Sequence, residues 1–320
     1  EGTLTLTRGN TYVGATTISD GTLLIQGDGR IAGASDVIVA AGATFEIAAT
    51  NWAISNDISG EGGLTKSGSA GDLRVTGTNP YTGPTLATGG NILRAGSSQA
   101  FGSNSALTVD SNASVELNGY SLAVGSLAGS GTIRNANAFY GGGSDNPTVL
   151  TVGGDNTSTA FSGVIEDGGA GVPLVLRKIG TGAFALTGAN KYTGGTRVEE
   201  GRLLLGDGDN RLPIDAVVTL GNGATSGVLG IGGGDTSRSQ ELAGLLTSGS
   251  GTANRVVGGG SGTFSTLTLN VAGTTVFGGI LGGPDGTENQ LRLVKTGDGI
   301  LTLTGVSTYV GATTVSGGTL

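Results

Sequence analysis

The 320-residue sequence predicts an all-β chain wound as a parallel β-helix, a β-solenoid of about 14 coils of about 22–23 residues each. Three observations predict it. Gly supplies 66 residues and Thr 43, so the chain is built from tight turns and slim β-branched side chains. Strand-like runs such as Asp36-Val-Ile-Val39, Ala106-Leu-Thr-Val109, Ser114-Val-Glu-Leu117, Val217-Val-Thr-Leu220 and Thr266-Leu-Thr-Leu269 recur between Gly, Asn, Asp and Ser. One motif returns four times, with 69, 111 and 117 residues between its tyrosines. Those intervals lie close to three, five and five multiples of one coil, and a two-sheet sandwich offers no reason for them.

The motif frames each copy in the same order. A first strand alternates apolar residues inward: Leu4 and Leu6, Leu73 and Val75, Phe184 and Leu186, Leu301 and Leu303. Thr7, Thr76, Thr187 and Thr304 end it. A corner follows with Tyr12, Tyr81, Tyr192 or Tyr309, then Gly14, Gly83, Gly194 or Gly311. The second strand opens at Thr16, Thr85, Thr196 or Thr313, and β-branched Thr suits its solvent-facing side. Gly21, Gly90, Gly201 and Gly318 make the closing turn before Leu23, Ile92, Leu203 and Leu320. The copies therefore lie near 2–23, 71–92, 182–203 and 299–320, and 15 of the 20 positions in 4–23 and 301–320 are identical. Three of the four lysines, Lys66, Lys178 and Lys295, precede a copy at one equivalent position.

Composition narrows the chemistry. With no His and no Cys, the usual general base, thiol nucleophiles, disulfides and most transition-metal sites are excluded. No cofactor is expected. A formal charge of −8 with scattered Lys and Arg disfavours nucleic acid. Mean hydropathy of +0.13 argues against disorder. No apolar run reaches membrane-span length, since Val37 to Ala49 is interrupted by Gly42 and Glu46. Length alone would suggest two domains, but the repeat texture runs end to end, so residues 1–320 read as one continuous segment. Starting at Glu1 without a signal peptide, it reads as an interior slice of a longer protein.

The unit Leu301-Thr-Leu-Thr-Gly305, Tyr309-Val-Gly311-Ala-Thr313 and Gly318-Thr-Leu320, led in by Lys295-Thr-Gly-Asp-Gly299, resembles the passenger-associated transport repeat of bacterial autotransporters. That resemblance implies a right-handed β-helix. It also implies export through the periplasm and through the protein's own C-terminal outer-membrane β-barrel, a partner outside this chain. Display on, or release from, a Gram-negative cell would follow, with roles in adhesion, aggregation or virulence. A host-cell surface or matrix component is then a candidate partner. Unpaired strand edges at the ends of an excised solenoid also invite self-association.

The candidate sites each have a structural reading. The four tyrosines are too far apart for one sugar to touch two, at roughly 14 to 24 Å along the coils, so they read as corner plugs. Trp52, the sole Trp, is either packed or a binding anchor. Glu199 and Glu200, flanked by Arg197 and Arg202, are the best spot for glycan-cleaving carboxylates, yet they read as a tolerant outward turn. Asp207 and Asp209 read as solvated turn acids without a calcium-roll pattern. Gly232 to Asp235 and Gly258 to Gly260 lack the following helix of a phosphate cradle. No catalytic residue is expected. The sequence therefore favours a non-catalytic stalk that assists its own export, ahead of direct adhesion on a lateral face, with a polysaccharide lyase or hydrolase last.

Overall fold

The computed structural model describes residues 2–49, 51–68, 71–136, 143–169, 171–232 and 236–320. Every regular element among them is a strand, and the parallel strands stack as β-solenoid turns, about 14 in all. Contacts divide the chain into two compact units, residues 1–155 with 162–174, and 156–161 with 175–320.

In the first unit, one sheet stacks Thr3–Leu6, Thr22–Ile25, Thr44–Ile47, Gly63–Lys66, Thr85–Ala87, Ala106–Val109 and Ser126–Gly129, each parallel to the next. A second stacks Trp52–Ile54, Asp72–Val75, Ile92–Ala95, Ser114–Glu116, Thr132–Arg134 and Val164–Glu166. Identical registers put like side chains in columns. Leu73, Leu93, Val115, Ile133 and Ile165 point inward in one line and are buried. On the outer side of the same strands, Ala53, Arg74, Arg94, Glu116, Arg134 and Glu166 form a second line.

The second unit repeats the scheme. Ala183–Leu186, Gly201–Leu205, Gly227–Ile231, Arg255–Val257 and Ile280–Leu281 form one stack. Its buried column is Phe184, Leu203, Leu229, Val256 and Leu281. Thr196–Val198, Val217–Leu220 and Gly244–Thr247 form another. Ser239–Leu242, Ser265–Asn270, Leu291–Thr296 and Thr313–Val315 form a third.

Two expectations are corrected. The first and second copies are not separated by whole coils. In the first unit, the Leu4 strand shares a sheet with the Gly63–Lys66 lead-in of the second copy, whereas that copy's own Leu73 strand lies in the neighbouring sheet. Coil length varies because loops between strands vary: Leu4 pairs with Leu23, 19 residues on, and Leu229 with Val256, 27 on. The motif threonines do not face solvent where coils cover them. Thr85 pairs with Leu64 and Thr196 with Leu176, both in inward columns, and both threonines are buried. A hydroxyl partner supplied inside the solenoid makes that burial tolerable.

Candidate functional site

The repeat corner is one hydrogen-bonded device. In all four copies the phenol meets the hydroxyl four residues on: Tyr12 with Thr16 at 2.8 Å, Tyr81 with Thr85 at 2.6 Å, Tyr192 with Thr196 at 2.6 Å and Tyr309 with Thr313 at 2.5 Å. Tyr81 and Tyr192 are buried, while Tyr12 and Tyr309 in the outer copies are partly exposed. In the first two copies a serine of the next coil extends the line. Ser35 and Ser105 meet Thr16 and Thr85 and donate to the carbonyls of Gly14 and Gly83 at 2.5 and 2.7 Å. Ala216 stands at that place in the third copy.

Gly83 and Gly311 sit where a Cβ would come within 2.2 and 2.3 Å of carbonyl oxygens of the coil below, those of Gly62 and Leu291. Gly14 borders open space, and Gly194 occupies the equivalent half-buried bend. Burial pushes the Tyr81 phenol up to about 12 against the opposing hydrogen bonds of Thr85, Gly102 and Ser105, and raises that of Tyr192. Both stay neutral and present no open ring to a sugar.

The recurrent lysines lie inside the solenoid. Lys66, Lys178 and Lys295 are essentially fully buried, and each ammonium donates to turn carbonyls. Lys66 reaches Ser67 O at 2.6 Å and Asn91 Oδ1 at 3.1 Å. Lys178 reaches the carbonyls of Ile179, Gly180 and Glu200 at 2.6, 2.7 and 3.3 Å. Lys295 does the same with Thr296, Gly297 and Gly317 at 2.6, 2.8 and 3.2 Å. Each lysine thus ties the turn that follows it to the closing turn one coil later. Recurrence of three lysines at one position was the sequence signal, but alternation alone did not reveal that they point inward.

The carboxylate candidates disperse. Glu199 is 9% exposed, which corrects the expectation of an outward turn. Arg177, one coil below, grips it with Nε and Nη2 at 2.8 and 2.7 Å, and Asn222 adds a bond at 2.9 Å. Burial alone would raise this carboxyl. The hydrogen bonds of Arg177 and Asn222, with the charges of Arg177 and Arg197, overturn that and hold it below the usual carboxylate range. An acid locked in its ionised form cannot donate a proton.

Arg202 turns to Glu288 at 2.8 Å. Asp209 caps the turn of the next coil by accepting from Ser239 N at 2.7 Å, and Asp207 is exposed. Gly258 and Gly259 spend their N–H groups on Glu288 O and Ser265 Oγ, and residues 233–235 of the other Gly-rich run lie outside the described residues. No group of three acids positioned for a metal occurs among the described residues.

A lateral face of the first unit gathers unlike chemistry. Trp52 is half-buried at the start of its strand, with the Arg30 guanidinium 5.0 Å from its ring centre. Beside it a cavity of about 200 Å³ is lined by Asn51, Trp52, Ala53, Asp72, Arg74 and Arg94. Arg94 is held by Asp72 at 3.0 Å and by Glu116 at 2.6 Å, and Glu116 is gripped again by Arg134 at 2.5 Å. The sequence hint was a set of charges, Asp72, Arg74 and Arg94, where the other copies carry mostly Thr, Ala and Leu.

The passenger-associated-transport-repeat family matches residues 1–25, 64–94, 176–205 and 293–320, which are the four copies. In the last three the match opens on the strand that carries the buried lysine. Across its full length the chain is 30% identical, over a 444-residue alignment, to the adhesin BmaC autotransporter of Brucella suis biovar 1 (strain 1330). The chain spans 12% of that relative.

Proposed function

We propose that the chain, which carries four passenger-associated transport repeats, is a segment of an autotransporter passenger, part of a secreted or cell-surface protein of a Gram-negative bacterium, and that it is a non-catalytic stalk that assists its own export and folding. In this reading the parent protein leaves through an outer-membrane barrel linked on the C-terminal side and carries an adhesive function that the stalk holds away from the cell.

One observation carries the reading. The buried corner tyrosine and threonine and the buried lead-in lysines find hydrogen-bond partners within the repeat and the adjoining coil, whichever sheet the strands enter. A coil that needs only its neighbour can form as soon as that neighbour has formed, so folding outside the cell can proceed stepwise and retain emerged chain. The carboxylate best placed for catalysis, Glu199, is committed to Arg177.

The test compares the parent protein with a version lacking these 320 residues, scoring surface copies and adhesion per copy. Fewer surface copies with unchanged adhesion per copy supports the stalk. Unchanged copies with lost adhesion per copy refutes it and selects the second reading, direct adhesion by a lateral face. The cavity beside Trp52 is the observation that favours that second reading.

A further inference from the structure

We propose that the cavity beside Trp52 binds a pyranose bearing a carboxylate, such as a uronic acid or a nonulosonic acid at the end of a glycan. The inference rests on the reading that a lateral face of this segment adheres directly.

Each wall of the cavity has a part in this. Trp52 offers an indole surface; Arg30 covers the ring but does not line the cavity, which leaves the remaining ring surface to a stacked sugar. Ala53 is exposed and pairs in register with Arg74, so the place where a larger outward side chain would stand is empty. Arg74 and Arg94 are adjacent in register on the outer side of neighbouring strands, and both line the cavity. Clamping by Asp72 and Glu116 fixes Arg94 before any ligand arrives. Asp72 and Asn51 add an acceptor and an amide suited to ring hydroxyls.

The charges select the ligand. Around the cavity Arg30, Arg74, Arg94 and Arg134 stand against Asp72 and Glu116, which makes this a positive spot on a chain of net charge −8. A planar carboxylate matches the guanidinium fork, while Asp72 disfavours a doubly charged phosphate. A protein partner fits less well. Standard interfaces bury about 800 Å² per partner around an apolar centre. Here the line leading away from the cavity is Arg94, Glu116 and Arg134.

Trp52 is the sole Trp, so its emission reports on the site directly. The chain is titrated with D-glucuronic acid, with N-acetylneuraminic acid and with D-glucose. The expected result is a saturable emission change with at least one acid, and which acid responds identifies the source. Glucose should give none. Arg74→Gln should weaken the response at least about tenfold, Ala53→Leu should abolish it by filling the cavity, and Arg255→Gln should leave it intact. Circular dichroism verifies that each variant folds. Absence of a response to both acids, an equal response to glucose, or indifference to Arg74→Gln and Ala53→Leu overturns the site.

Adhesion of cells displaying equal copies of the Arg74→Gln parent separates the two readings. Normal adhesion with a lost Trp52 response upholds the sugar site and removes lateral adhesion by this face. Lost adhesion without any Trp52 response to sugar overturns the sugar site and assigns the face to a protein partner.

Discussion

Tyr192 and Thr196 meet at 2.6 Å between phenol and hydroxyl, both fully buried, and Ala216 stands where the first two copies place a serine. Thr196 therefore depends on the phenol alone among the hydrogen bonds described for it. Thr85 has Ser105 as a second partner at 2.8 Å. Tyr12 and Thr16 form the same pair at a partly open edge.

The three pairs should rank accordingly. Tyr192→Phe leaves a buried hydroxyl without its partner and should cost about 1–3 kcal/mol. Tyr81→Phe should cost less, because Ser105 remains, and Tyr12→Phe least, because water can replace the phenol. Denaturant unfolding followed by circular dichroism gives the order. Equal losses at all three positions would show that the corner bond does not depend on burial.

The third copy also permits a gain. Ala216→Ser should restore the line from phenol to hydroxyl to serine to the Gly194 carbonyl seen with Ser35 and Ser105. A stabilisation of about 0.5–1.5 kcal/mol is expected. The gain should shrink when Thr196 is first changed to Val, which removes the hydroxyl that the serine would meet. A gain independent of Thr196 would mean that the serine acts elsewhere.

Closing glycines give a matched comparison. Gly90 and Gly201 both lie in the closing turn of their repeats with φ of 73° and 68°, in the left-handed region, and parallel register sets Gly90 one residue earlier, since Leu73 pairs with Leu93 and Phe184 with Leu203. A Cβ at Gly201 would lie 2.5 Å from Gly180 O, whereas at Gly90 the nearest atom is Asn112 O at 3.8 Å. Gly90→Ala should therefore cost the conformational penalty alone, about 1–2 kcal/mol. Gly201→Ala should add displacement of the coil below and cost at least about 3 kcal/mol. Unfolding midpoints that fall equally would remove the close approach as a cause.

What the sequence could reveal divides along a physical line. Period and alternation expose any feature that depends on residues near in the chain, so the strands, the closing glycines and the Tyr-x-Gly-x-Thr frame could be read directly. Features set by stacking could not. Whether Lys66 points inward depends on a nest of carbonyls that exists only once Asn91, on the next coil, has docked. The burial of Glu199 depends on Arg177, 22 residues earlier and aligned only by parallel register. The Trp52 cavity draws on three successive strands, and nothing in the local sequence around Trp52 announces Arg94.

Lys66 makes the last of these stacking effects measurable through pH. Burial lowers its ammonium from the ordinary 10.5 to about 8, with Asp72 opposing. The folded chain therefore releases this proton near pH 8, while the unfolded chain keeps it until about 10.5. Between those values the unfolded state binds more protons, so Lys66 makes stability rise with pH. Tyr81 acts in the opposite sense above pH 10. Its phenol is pushed up to about 12, so the stability it contributes is whole below 10 and is lost as pH climbs through 12. Urea midpoints should thus increase from pH 8 toward pH 10 and then turn over. Lys66→Met should flatten the rising limb and leave the fall above pH 10 in place. A rising limb of unchanged slope in Lys66→Met would mean that Lys66 keeps its proton in the folded chain and that the carbonyl nest offsets its burial in full.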